Sequence, residues 1–125
     1  PLLLSSAASD VYKRQHYDQP PGSPDEIIDE IDEISDSGNI IKIVFNTSGK
    51  KDALKLFDVA WRTRDSGNKL SIMGLGAGGD WTRIHAPILN QSLVYTTMEN
   101  GWYLSQQGRI NTSDLKTAWN LLEYN

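Results

Sequence analysis

The chain has 125 residues, a length that fits a single domain. Its formal net charge of −4 argues against a surface for nucleic acid or anionic membrane, and we expect a cytoplasmic protein. It has no cysteine, which excludes disulfides, thiolate zinc sites and cysteine nucleophiles, and no apolar run reaches the roughly 18 residues of a membrane span.

Residues 1–15 differ from the rest of the sequence. They begin without Met, and the apolar run Leu2 to Leu4 is short and lacks the basic leader of a signal peptide. They resemble the peptide produced when a sequencing adapter is translated at the end of a contig. We therefore expect that residues 1–15 do not belong to the natural protein, whose sequence would then enter at His16.

The first predicted helix follows a Pro/Gly turn. Ser23 is its expected N-cap, Pro24 takes the first helical position and Glu26 completes a capping box. Gly38 is predicted to end the helix. One face carries apolar side chains and the other carries acids; the apolar ones are Ile27, Ile28, Ile31 and Ile34.

Residues 39–46 are mostly large, apolar and β-branched, a pattern typical of a parallel strand buried on both faces. Lys42 lies in the middle of this run. Burial disfavours the ammonium form of a lysine and lowers its pKa, and a partly neutral amine is a nucleophile for carbonyl carbons. The alternative is an edge strand whose lysine points into solvent.

Further elements follow at regular intervals. A second helix is predicted from about Lys50 to Arg64, with an apolar stripe of Leu54, Phe57 and Trp61. The later elements are a strand at Lys69–Met73, a glycine-rich loop at Gly74–Gly79, a short helix at Thr82–Leu89 capped by Thr82 and bent or ended near Pro87, a strand at Leu93–Thr97, a loop at Met98–Ile110 and a helix at Thr112–Glu123 that buries Leu115, Ala118, Trp119 and Leu122.

Strands that alternate with helices indicate an α/β fold with parallel pairing and right-handed crossovers. Three strands are too few to close a barrel, so they form part of a barrel or part of an open sheet. Ligands of such folds bind beyond the carboxyl ends of the strands, where Lys42, Arg83, Ser105 and Arg109 are expected. Arginine there suits a carboxylate or phosphate, and a solvated loop arginine is the alternative.

Two histidines remain. His16 comes just before a turn and a helix, where a fourth strand could end, and His85 is interpreted as structural.

The loop Gly74–Gly79 matches G-x-G-x-x-G between a strand and a helix, with Glu99 placed as a ribose acid, so a dinucleotide-binding, Rossmann-type fragment is an alternative. Pro87 in the following helix weakens that alternative.

Taken together, Lys42-Ile43-Val44, Met73-Gly74 with Thr82-Arg83, and Ser105 to Ile110 resemble the type I 3-dehydroquinate dehydratase family. The resemblance covers residues 16–125 and implies the C-terminal half of a family member. It implies the C-terminal part of a (β/α)8 TIM barrel, with three to four parallel strands and their helices. Arg109 stands where the family has glutamine, and His16-Tyr17-Asp18 replaces the family's His-Asp-Phe.

The family resemblance also implies a reaction and its residues. The enzyme would be a lyase that dehydrates 3-dehydroquinate to 3-dehydroshikimate in the shikimate pathway, which leads to chorismate and the aromatic amino acids. Lys42 would form a Schiff base, His16 would act as general base and acid, and Arg83 would hold the substrate carboxylate. Ser105 and Arg109 would cover the substrate.

The resemblance requires neither a metal nor a cofactor and allows a homodimer, although the sequence itself does not give the oligomeric state. A non-catalytic barrel fragment that binds a small acid is the alternative of another class. We expect residues 16–125 alone to aggregate or stay partly folded and to lack dehydratase activity, because a (β/α)8 enzyme needs about 200 residues or more.

Overall fold

The computed structural model describes residues 3–5, 12–17, 19–35, 40–97 and 105–124, the first two ranges by their backbone. Within these ranges the chain forms strands and helices in the order β1 (Leu3–Ser5), β2 (Tyr12–Tyr17), α1 (Pro24–Ile34), β3 (Ile40–Ser48), α2 (Lys50–Thr63), β4 (Lys69–Ala77), α3 (Trp81–Ile84), β5 (Leu93–Tyr95) and α4 (Thr112–Leu121). No helix in these ranges is long and apolar enough to cross a bilayer.

The predicted parallel pairing is confirmed. Strands β2, β3 and β4 form a parallel sheet in that order, and β1 pairs with β5, again in parallel. Strand β5 is held beside β4 because the amide of Ser92 donates to the carbonyl of Leu70 at 2.8 Å and the hydroxyl of Ser71 donates to the carbonyl of Leu93 at 2.5 Å. The described strands therefore lie side by side with their carboxyl ends at one edge.

A fourth strand was expected to end near His16, and β2 ends at Tyr17, directly before the turn that leads into α1. Strand β1 and most of β2 fall within residues 1–15, for which no strand was predicted. The expectation that residues 1–15 are foreign to the natural protein is not tested by this pairing and stays a prediction.

Helix α1 begins as its sequence predicts. The hydroxyl of Ser23 accepts a hydrogen bond from the amide of Glu26 at 3.2 Å, and Pro24 opens the first turn. Ile27 and Ile31 are buried against the sheet. The helix ends at Ile34, and the predicted stop at Gly38 lies outside the described residues.

Helix α2 has the predicted length but buries a different face. The predicted stripe is wrong, because Leu54 is 57% exposed and Trp61 is 44% exposed, and only Phe57 is partly buried. The face turned to the sheet instead consists of Ala53, Leu56, Val59, Ala60 and Thr63, with Asp52 at its first turn. The small side chains Ala53 and Ala60 let the helix lie close to β3 and β4. This close packing explains why this apolar face is buried and the predicted one is not.

The segment after β4 departs most from prediction. Strand β4 runs to Ala77, so the first part of the predicted glycine loop is extended strand. Helix α3 has only four residues, and the predicted cap Thr82 lies inside it. Asp80 occupies the N-cap position, but its side chain makes no capping hydrogen bond. The chain from His85 to Asn90 forms turns instead of continuing the helix toward Pro87.

The last elements contribute to a second, smaller buried cluster, formed by Ala86, Val94, Ile110 and Leu115. Strand β5 stops at Tyr95, and Thr97 bridges to Asn111, whose side chain then caps α4 by accepting from the amide of Asp114. Leu115 is buried as predicted, whereas Leu122 follows the end of α4 and is 43% exposed. The prediction that Leu122 is buried is therefore wrong, since the helix ends at Leu121.

Candidate active site

Lys42 lies on the face of β3 that points away from the helices. Neighbouring side chains of a strand point to opposite faces, and Ile41 and Ile43 belong to the core between sheet and helices. Lys42 therefore faces the other way, toward the position of the barrel interior in a complete barrel. Because β3 has a partner strand on each side, it is not an edge strand, and the alternative of an edge lysine is excluded.

Tyr95 is the aromatic neighbour of this lysine. Lys42 Nζ lies 3.8 Å from the centroid of the Tyr95 ring, and both residues are half-buried. An ammonium or iminium group above an aromatic face is attracted by the ring quadrupole. Tyr95 is also the last residue of β5, so it joins the lysine to the loops at the carboxyl edge.

The side chain of Arg83 bonds to the backbone of the same tyrosine. Its Nε donates to the carbonyl of Tyr95 at 2.9 Å, and its Nη1 donates to the carbonyls of Gly74 at 2.7 Å and Gly79 at 2.9 Å. The side chain is buried at the end of β4. Burial lowers the pKa of the Arg83 guanidinium, and the nearby carboxylate of Asp80 opposes that shift.

Part of the Arg83 guanidinium keeps its donor capacity, although the side chain is only 5% exposed. The bonds just described use Nε and Nη1 of Arg83, and within the described part of the chain no group accepts a hydrogen bond from Nη2. A carboxylate accepts hydrogen bonds of this kind strongly. Arg83 is thus fixed by the protein on one side and retains donor capacity on the other.

Asp80 connects Arg83 to the last loop. Its Oδ1 accepts from Arg83 Nη1 at 3.0 Å and from the amide of Ile110 at 3.2 Å, and its Oδ2 accepts from the amide of Gly108 at 2.6 Å. Loop residues 105–110 therefore lie against the end of β4. Gly108 has φ +77°, and a Cβ atom there would clash with the amide nitrogen of Gly76.

Ser105 begins this loop and bonds to the start of α4. Its hydroxyl donates to Asp114 Oδ2 at 2.5 Å and accepts from the amide of Asn111 at 2.8 Å. Arg109 has an exposed side chain, while its carbonyl accepts from the hydroxyl of Thr97 at 3.0 Å. The structure thus brings Ser105 to the edge that carries Arg83, and it leaves the Arg109 side chain at the surface.

The two histidines occupy different regions. His16 pairs with Val44 in the register of β2 and β3, two positions beyond the pair Arg14–Lys42. Its side chain lies outside what the structure describes. His85 follows α3, with Nδ1 2.9 Å from the Tyr124 hydroxyl and its ring edge-on to Phe57.

The glycine-rich segment is folded in a way that does not suit a dinucleotide. The amide of Gly74 donates to the carbonyl of Gly79 at 3.1 Å, and Arg83 fills the inside of this turn. The helix that would present its amino end to a pyrophosphate is the four-residue α3. The Rossmann-type alternative is therefore wrong, and Glu99, its proposed ribose acid, lies outside the described residues.

Sequence reasoning missed Asp80, Tyr95 and Asp114 as parts of the site. Asp80 precedes Arg83 by three residues, a spacing that allows an ion pair on one helical turn and could have indicated the contact. Tyr95 was visible only as an aromatic residue near the end of a predicted strand. The pairing of Asp114 with Ser105 spans a loop of uncertain path, and we see no sequence signal for it.

Comparison with protein families and curated proteins gives a consistent result. Residues 8–125 match the family model for type I 3-dehydroquinase. A 3-dehydroquinate dehydratase of Methanosarcina barkeri (strain Fusaro / DSM 804) is 28% identical over 85 residues, which are 68% of this chain and 35% of that protein. The chain therefore spans about a third of the length of this curated relative.

Solved structures share the fold. The 3-dehydroquinate dehydratase of Geobacillus kaustophilus HTA426 superposes with a TM-score of 0.68 at 18% identity, over 88% of this chain and 42% of that one. The type I enzyme of Clostridium difficile gives a TM-score of 0.69 at 20% identity, over 87% of this chain and 43% of that one. The α/β arrangement of parallel strands and helices thus corresponds to part of a (β/α)8 barrel.

Proposed function

Because the chain belongs to the type I 3-dehydroquinase family, we propose that the complete enzyme to which it contributes dehydrates 3-dehydroquinate to 3-dehydroshikimate, a step of the shikimate pathway. The observation that carries the proposal is the family match over residues 8–125, joined to a lysine set inside a central strand beside an aromatic ring. The activity and substrate are proposals, since the chain spans less than half of its relatives.

Lys42 is the proposed nucleophile. Its neutral amine adds to the ketone carbon of the substrate, and loss of water gives a protonated imine. The positive nitrogen withdraws electrons, so a proton on the adjacent carbon can leave and its electron pair is stored in an enamine. Return of these electrons expels the hydroxyl group as water, and hydrolysis of the imine releases the product and regenerates the amine.

His16 is the proposed carrier of the proton. It takes the proton from the carbon next to the imine and gives one to the departing hydroxyl group. The strand register supports this role, because His16 stands opposite Val44 on the strand next to Lys42. With about 4.8 Å between strands and about 3.3 Å per residue, the Cα atoms of His16 and Lys42 are roughly 8 Å apart, a spacing that a substrate ring can bridge.

Arg83, Ser105 and Arg109 are the proposed substrate-binding residues. Arg83 is anchored through Nε and Nη1, which supports its use of Nη2 for the substrate carboxylate. Ser105 lies in the loop that Asp80 holds next to Arg83, and Arg109 can turn its exposed side chain toward a ligand entering from that edge. No step of the scheme requires a metal or a cofactor.

Reduction of the imine tests the proposal directly. Borohydride with 3-dehydroquinate should add a stable mass increment to Lys42 in the complete enzyme, located by peptide mass spectrometry. Lys42→Ala should take up no label, whereas Lys116→Ala, which removes an exposed lysine of α4, should label normally. Labelling of the Lys42→Ala enzyme would contradict the role of Lys42, and the absence of labelling in the unaltered enzyme would favour a non-catalytic binding protein.

A further inference from the structure

We propose that Asp80 is a positioning residue that holds the last loop, residues 105–110, against Arg83. The carboxylate stands between the arginine on one side and two backbone amides of the loop on the other. The consequence for substrate binding rests on the proposed function, whereas the effect on the loop does not.

The contacts use most of the acceptor capacity of the carboxylate. Oδ2 receives the amide of Gly108 at 2.6 Å, and Oδ1 receives both the amide of Ile110 at 3.2 Å and Arg83 Nη1 at 3.0 Å. Hydrogen bonds to an ionised acceptor are stronger than neutral ones. Asp80 is thus bonded to residues 28 and 30 positions away in the chain.

Burial makes the arrangement sensitive to the charge of Asp80. The side chains of Arg83 and Asp80 are 5% and 13% exposed, so water screens the pair weakly. If the carboxylate is lost, Arg83 keeps a buried charge without its partner, and the amides of Gly108 and Ile110 lose their acceptor. An amide in place of the carboxylate offers one acceptor oxygen where three donors now converge.

The loop has little freedom to settle elsewhere while these bonds exist. Gly108 lies so close to the backbone of Gly76 that a Cβ atom on Gly108 would clash with the amide nitrogen of Gly76. The neighbouring carbonyl of Ile110 accepts from the amide of Thr97 at 3.1 Å. Asp80 therefore joins the loop that carries Ser105 to the arginine proposed to bind the substrate carboxylate, and sets the distance between them.

Amide hydrogen exchange in the full chain tests the positioning. Asp80→Asn should raise the exchange rates of the Gly108 and Ile110 amides by roughly tenfold to a hundredfold, the effect expected when charge-assisted hydrogen bonds are lost. The amide of Ile72, in the centre of β4, should change little. Asp58→Asn, which alters an exposed acid of α2, should leave all three rates unchanged.

A second variant guards against simple unfolding. Asp80→Glu keeps a carboxylate beside Arg83 and leaves no buried charge unpaired, so it should fold even if Asp80→Asn does not. Its longer side chain cannot hold both loop amides at their present distances, so the two amides should still exchange faster. Unchanged exchange at Gly108 and Ile110 in a folded variant would overturn the proposal. Unfolding of both variants beside a folded Asp58→Asn control would overturn it as well, because Asp80 would then stabilise the whole fold rather than one loop.

Kinetics of the complete enzyme separate positioning from general stability. Asp80→Asn should raise KM for 3-dehydroquinate by roughly tenfold or more, with a smaller change in kcat, because the loop and Arg83 contact the substrate and not the reacting bonds. Asp80→Glu should recover part of the affinity. Faster loop exchange without any borohydride labelling would support the positioning role of Asp80 and contradict the proposed function. Normal labelling with unchanged exchange and KM would support the proposed function and contradict the positioning role.

Discussion

The guanidinium of Arg83 binds three carbonyl groups and one carboxylate inside the protein. These acceptors belong to the end of β4, the turn after it and the end of β5. Replacing the side chain would leave them buried without donors, which is more costly than losing an exposed ion pair. Arg83 is therefore a structural residue as well as a proposed ligand of the substrate.

We predict that Arg83→Ala lowers the free energy of unfolding by about 3–5 kcal/mol, the range for breaking one side of a buried ion pair. Urea denaturation of the chain measures this. Arg62→Ala is the matched control, because the Arg62–Asp25 pair is exposed and should matter far less. Similar midpoints for the two variants would contradict the structural role of Arg83.

His85 gives the chain a pH-dependent contribution to stability. Burial lowers the pKa of His85, whose ring is packed edge-on between Phe57 and Tyr124. Unfolded His85 therefore takes up a proton at a higher pH than folded His85. The stability that neutral His85 contributes is complete above its unfolded pKa of about 6.5 and is lost as the pH falls through its folded pKa.

We predict that the unaltered chain loses stability below about pH 6.5 more steeply than His85→Gln, which does not titrate in this range. Urea unfolding at several pH values from neutral to mildly acid measures both slopes, and the other titrating groups are common to the two proteins. The prediction fails if the two slopes are equal below pH 6.5.

Among the helices and strands, the sequence predicted the features that interactions between neighbouring residues determine. The start of α1 depends on neighbours in the sequence, the Ser23 hydroxyl that accepts from the Glu26 amide and Pro24 in the first turn, and it lies where the sequence predicts. Helix α2 has apolar residues on two faces, and the face with Ala53 and Ala60 packs against the sheet. The periodicity of the helix sequence cannot show which of the two faces is buried. Such a choice depends on the space between helix and sheet.

The path of the glycine segment was also beyond local reasoning. Gly76 has φ +109° and lies against the carbonyl of Thr47, so β4 stays paired with β3 through a stretch whose composition is typical of a loop. Continued pairing with β3 stabilises this extended path. The pairing joins residues 29 positions apart in the sequence, such as Thr47 and Gly76. Glycine is required there because a side chain would strike the neighbouring strand.

We predict that Gly108→Ala destabilises the chain more than Gly67→Ala, measured by urea denaturation. Both glycines have positive φ, +77° and +86°, so both alanine variants carry the same backbone penalty of about 1–2 kcal/mol. Only at Gly108 would the added methyl group meet the backbone of Gly76, while nothing lies within 4 Å at Gly67. Equal losses would show that the loop does not lie close against β4.

The residues of the candidate site that the sequence could place are those whose position depends on a strand. Lys42 was recognised as a polar residue inside an apolar run, and Arg83 as a cation after the next strand, and both lie near Tyr95. The link from Asp80 to Gly108 joins two loops that meet only when β4 and β5 are side by side. The residue spacing within either loop does not predict this contact, which depends on the tertiary fold.

We expect the chain by itself to be inactive, because it corresponds to only part of a barrel. A (β/α)8 enzyme encloses its lysine within a ring of strands built from about 250 residues, and this chain spans less than half of the related structures. In the described ranges β2 pairs with β3 on one side only, so the other edge of β2 has no paired strand there. Water would then reach the face of β3 that carries Lys42, and the ring of groups around the substrate would be incomplete.

We therefore predict that the 125-residue chain, incubated with 3-dehydroquinate, produces no 3-dehydroshikimate absorbance. The complete Methanosarcina barkeri relative, assayed in parallel, shows that the conditions support turnover. A Lys42→Ala version of the chain gives the background, because any true imine chemistry requires that amine. Turnover by the unaltered chain above this background would mean that the remaining strands of a barrel are dispensable for enclosing Lys42, and the argument from barrel closure would fail.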